Sequence, residues 1–119
     1  MTQTGAIFLT LGIELPVAVL MVARLGWAPG RLRLVALASL AASTLTHPIL
    51  WMSDPAVAPM IPNWELRVAA LEALIVVAEA AVYRLGSGLS ARRALAVSFV
   101  ANVASLGAGL LIFAIAAPP

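Results

Sequence analysis

Residues 71–84 read LEALIVVAEAAVYR. No Gly or Pro interrupts this run of Ala, Leu, Ile and Val, so it predicts a helix. Its two carboxyl groups, Glu72 and Glu79, are seven residues apart, which is close to two helical turns. They therefore share one face, about 10 Å apart along the axis. Glu65 lies seven residues earlier on the same stripe, with Val76 and Tyr83 beside it. A helix with one acidic edge suits either a water-washed surface or the interior of a membrane bundle, and the rest of the chain decides between them.

Composition decides for the membrane. Of the 119 residues, 63% are hydrophobic and only 10% are charged, and the mean hydropathy is +1.07. A soluble domain of this size needs a surface of about 25–35% charged residues to stay dispersed. The pI near 10.5 reflects seven arginines against five acids in a chain without lysine. It describes a largely uncharged chain and gives no sign of nucleic-acid binding. With no cysteine, there is no disulfide framework, thiolate metal site or thiol nucleophile.

Four apolar segments of spanning length follow one another, at 5–23, 34–52, 66–83 and 94–117, predicting an all-α integral membrane four-helix bundle in one domain. The first contains Glu14 and has no basic leader or small-residue cleavage site, so it is expected to be a mature helix rather than a signal peptide. Between the second and third lies SDPAVAPMIPN (53–63), expected to be non-helical through Pro55, Pro59 and Pro62. RLGSGLSARR (84–93) forms the last break, with Ser90 as the expected N-cap of the fourth helix. Arg24, Arg31 and Arg33 flank the first connection and Arg84, Arg92 and Arg93 the third, whereas the second has only Arg67. The positive-inside rule then places both termini on the non-cytoplasmic side, as in a multi-pass protein of the bacterial inner membrane. Trp51 and Trp64 are expected at the outer interface and Trp27 at the inner one.

The polar residues inside the spans form the candidate site. Counted by helical rise from the outer interface, Glu14 and Glu72 are expected at one depth with His47 close by, and Glu79 deeper, level with Asn102. On the second helix Ser43, Thr44, His47 and Trp51 are read as one face. Pro48 frees a backbone carbonyl beside the histidine, and Pro16 does the same below Glu14. On the fourth helix Ser98, Ala101, Ser105 and Gly109 recur at spacings of three and four and are expected to pack closely against a neighbour.

A carboxylate at mid-bilayer costs about 2.5–3.5 kcal/mol on insertion scales, so intramembrane acids are paired, protonated or functional. Exchange of their proton for a cation is the basis of the leading expectation. On that view the chain is a homo-oligomeric, proton-coupled or cation-handling transporter. Glu14, Glu72 and Glu79 are proton or cation ligands, His47 is a gate or ligand, and Asn102 a positioning group. Four short helices alone rarely enclose a path, so membrane lipid and either identical copies or other membrane chains are the expected partners. An accessory subunit of a larger complex is the second expectation. A membrane enzyme with a Glu14, His47 and Glu72 metal site is the third. One histidine rules out HExxH and bis-histidine heme ligation within the chain, no Gly-rich phosphate loop is present, and no cofactor is assigned.

Overall fold

The computed structural model describes residues 2–116 and is built from helices alone among them. These are α1 (Gln3–Leu25), α2 (Leu32–Val57), α3 (Trp64–Ser87) and α4 (Ala91–Ala116). Ala117, the expected end of the fourth span, lies outside the described residues. Local chemistry sets the ends. The Thr2 side chain accepts a hydrogen bond from the Gly5 N–H, Asn63 Oδ1 accepts from the Leu66 N–H at 2.7 Å, and Ser90 Oγ accepts from the Arg93 N–H. Each supplies a partner to an N–H that the first helical turn leaves open. Gly88, with φ of 70°, takes the left-handed conformation that closes α3.

Two boundaries differ from expectation. The second helix does not stop at Met52 but runs through Pro55 to Val57. Proline removes only the donor that would reach one turn back, and close to a helix end that loss concerns a single carbonyl. Here the following turn is restored by the Ala58 N–H, which donates to the Asp54 carbonyl at 3.0 Å. The third helix extends past Tyr83 to Ser87, because Gly88 is the terminator and Gly86 continues the helix.

The connections 26–31, 58–63 and 88–90 are short, so consecutive helices run antiparallel. Each packs on the next and α4 packs back on α1, while the diagonal pairs α1–α3 and α2–α4 do not meet. The result is a four-sided ring. Arg24, Arg31, Arg33, Arg84, Arg92 and Arg93 gather at one end. The outer faces are apolar, with Phe8, Leu37, Leu74, Phe99 and Leu111 all exposed. Such a surface is stable against lipid and unstable against water. The chain is accordingly a membrane protein. Helices α1, α2 and α4 are long and apolar enough to cross the bilayer. α3 has the length, but any 18-residue stretch of it carries at least three charges from Arg67, Glu72, Glu79 and Arg84 and the acidic edge.

The packed core occupies only the arginine-rich half. Ala18, Val22, Val35, Ala38, Ala80, Tyr83, Ala94 and Val97 form it, joined by Ala28 and Leu89 from the connections. Small side chains let the backbones approach closely. A Cβ added at Gly86, for example, would come within 3.2 Å of the Ala38 Cβ. Outside this plug the Arg93 guanidinium lies 5.4 Å from the Trp27 ring centroid, a cation–π contact at the arginine-rich end.

Candidate functional site

Beyond the plug the helices part around a cavity of about 820 Å³. Its lining reaches Ala6, Trp51, Asp54, Trp64 and Phe113 at the arginine-poor end of all four helices, and its deepest members include Glu14, Glu79 and Asn102. At the mouth, Arg67 Nε donates to Asp54 Oδ1 at 2.7 Å and Nη1 donates to the Ile61 carbonyl at 2.9 Å. This holds the α2–α3 connection against the top of α3. Apolar side chains such as Leu9, Leu50, Leu71 and Ile75 make up most of the wall.

The floor is polar and symmetrical in its logic. Glu14 of α1 and Glu79 of α3 stand on diagonally opposed helices, and both are almost wholly buried. Each reaches sideways to α2 and to α4. Glu14 Oε2 accepts from Ser43 Oγ at 2.5 Å and Oε1 from Ser105 Oγ at 2.6 Å. Glu79 Oε1 accepts from Thr46 Oγ1 at 2.6 Å and Oε2 from Asn102 Nδ2 at 2.6 Å. Two carboxyl groups thereby tie together the pair of helices that do not otherwise touch.

Each hydroxyl in this layer also has a second acceptor on its own helix. Ser43 faces the Ser39 carbonyl at 3.1 Å, Thr46 the Ala42 carbonyl at 3.0 Å, and Ser105 the Asn102 carbonyl at 3.1 Å. A hydroxyl has one proton and can accept as well as donate. When the carboxylate is charged, the hydroxyl donates to it. When the carboxyl carries a proton, the hydroxyl turns to its backbone carbonyl and accepts from the acid. Both states are satisfied without moving a heavy atom. No sequence motif announces this, although the i−3 and i−4 spacing of Ser and Thr to helix carbonyls is a local rule.

Several sequence expectations change here. Glu14 is level with Glu79, not with Glu72. Counting from a shared interface ignores the stagger of the helices, and the partners Ser105 and Asn102 lie only three residues apart on α4. Glu72 stands two turns nearer the mouth, lining the cavity, and among the described residues its carboxyl group has no hydrogen bond. The inward face of α2 carries Ser39, Ser43, Thr46 and His47, while Thr44 is exposed to the outside. His47 Nε2 accepts from Trp51 Nε1 at 3.0 Å, so its ring is engaged by an indole one turn on rather than by a carbonyl that Pro48 frees. Both side chains line the cavity.

Glu14, His47 and Glu72 do not converge. Among the described residues no three His, Cys, Asp or Glu side chains are placed to hold a metal ion. On α4, Ala101 is buried, and Ser98 donates to the Val76 carbonyl of α3 at 2.8 Å. Ser105 serves Glu14, and Gly109 faces open space where the helices have separated.

No family model, curated protein or solved structure matches this chain. The site must therefore be read from its own chemistry. It consists of a vestibule with an aromatic mouth, one unpaired carboxyl group in the wall, and a floor of two carboxyl groups in hydrogen-bonded frames that accept either protonation state. Below it lies a plug in which Tyr83, Ser39 and Ser87 are buried among small apolar residues.

Proposed function

We propose that the chain is a proton-coupled, cation-handling membrane transporter in which Glu14 and Glu79 take up and release protons at the base of the vestibule. The observation that carries this reading is the double choice of acceptor at Ser43, Thr46 and Ser105. A purely structural buried acid needs one stable protonation state, and its partners need only fit that state. This frame fits two. The one-ended vestibule adds an access route from one side, with the plug as the barrier on the other, as alternating access requires.

By the positive-inside rule, the arginine-rich end lies in the cytoplasm and the vestibule opens outward, in an energised membrane such as the bacterial inner membrane. Asn102 positions Glu79, and the Trp51 and His47 pair borders the path. A homo-oligomer, or attachment to other membrane chains as an accessory subunit, would use the lipid-facing surfaces. Neither is needed to complete the cavity, which lies within one chain.

The test is infrared difference spectroscopy between acid and alkaline buffer, followed by proton movement in liposomes. Wild-type protein should show a carboxyl C=O band that changes with pH, and Glu79→Gln should remove part of it. In liposomes holding a pH-sensitive dye, cation-driven proton movement should be lost in Glu79→Gln while the variant elutes as folded protein. A band and a flux both unchanged in Glu79→Gln and Glu14→Gln would overturn the assignment.

A further inference from the structure

A cavity of about 820 Å³ is in the range of small-molecule sites, which run from about 300 to 1,000 Å³. It is far larger than the shell of one inorganic ion, whose ligands must close to about 2.0–2.6 Å. Its wall is largely apolar, so an occupant that fills it must bring apolar surface. Glu14, Glu72 and Glu79 face it, with Asp54 at its rim held by Arg67, and among the described residues neither arginine nor lysine lines it. An anion would meet four carboxyl groups and only one cation nearby, Arg67, which Asp54 already engages, at a cost that burial makes prohibitive. His47 adds no fixed cation, because its Nε2 is already an acceptor toward Trp51.

The carboxyl groups are not equivalent. Glu14 and Glu79 have both oxygens engaged. Glu72 has neither engaged, and it stands between the floor and the aromatic mouth. It is the group left to meet a charge that arrives from outside. Trp51 and Trp64 line the mouth, and indole rings attract cations and stack on flat apolar groups.

We propose that the vestibule is a binding site for a monovalent organic cation with a bulky or aromatic body, its charge held at Glu72 and its body against the apolar wall. This names the cargo class of the transport reading above and rests on it for its physiological meaning, although binding itself needs no transport. Arrival of the cation at Glu72 brings a positive charge toward Glu79, two turns deeper, and favours release of a proton there. One charge enters as one leaves.

The test uses phenyltrimethylammonium, its neutral carbon isostere tert-butylbenzene and the anion benzenesulfonate. Each is titrated by calorimetry into the full chain in lipid nanodiscs, with empty nanodiscs as reference. Phenyltrimethylammonium should bind at one per chain, quench tryptophan fluorescence and release protons into weakly buffered solution. Glu72→Gln should weaken it at least tenfold, Glu72→Asp should retain part of the affinity, and the lipid-facing Leu74→Ala should leave it unchanged.

Equal binding of the isostere or of benzenesulfonate, or full affinity in Glu72→Gln, would overturn the proposal. So would binding of inorganic cations alone. The two readings separate cleanly. Binding without proton release supports this site and counts against proton coupling. A pH-dependent carboxyl band without cation binding supports proton exchange and overturns the cargo.

Discussion

Ser43, Thr46 and Asn102 show how little a polar contact inside a bundle resembles its surface counterpart. Each touches a carboxyl group that is almost wholly buried at the floor of the vestibule, so removing one leaves an acceptor unpaired. Asn102→Leu should lower stability by about 1–2 kcal/mol, read as a reduced melting temperature in detergent. Val103→Leu on the lipid side should change it little. An Asn102→Leu protein as stable as wild type would mean that the bond to Glu79 is idle. At this scale the acids and Asn102 are legible in the sequence, because ionisable and amide groups in apolar helices have few reasons to be there. Thr46 is not. It differs from Thr44 by two positions, about 200° around the helix, and only the actual rotation of α2 selects which one faces inward.

The helices themselves are legible, but their ends follow from contacts distant in sequence. Three prolines in residues 53–63 suggest an early break. Yet Arg67, thirteen residues after Asp54, holds the last turn of α2 and the loop carbonyls together. Asp54 is partly exposed, so this tie is worth about 1–2 kcal/mol rather than the value of a dry ion pair. Arg67→Leu should speed amide hydrogen exchange in residues 54–63 and leave the plug end of α3 protected. Uniform exchange in both proteins would show that the loop is held by its prolines alone. The same holds for Gly109. Its small-residue spacing is readable, whereas the divergence of the helices that leaves it facing open space is a property of the ring.

For the molecule as a whole, composition and arginine placement dictate a bundle in a membrane, and the structure adds that only half of it is filled. The absence of native cysteine makes orientation and access directly measurable. Met60→Cys should react with a membrane-impermeant thiol reagent added outside cells, and Pro29→Cys only after the membrane is opened. Leu71→Cys in the cavity wall should react from the Met60 side, and Ala80→Cys in the plug from neither. Reversed labelling of the first pair would invert the orientation, and reaction of Ala80→Cys would show that the plug is not a seal.

The half-filled bundle also has an electrical consequence. In the orientation proposed above, a vestibule continuous with the outer solution sits near the outer potential, so the transmembrane voltage falls mainly across the plug. An elementary charge crossing the whole drop gains or loses about 2.3 kcal/mol per 100 mV. Here almost all of that would act between Glu79 and the arginine end, over half the bilayer thickness and at about twice the usual field. An ion moving between the outside and Glu72 would scarcely register the voltage, whereas a proton leaving Glu79 inward would register nearly all of it.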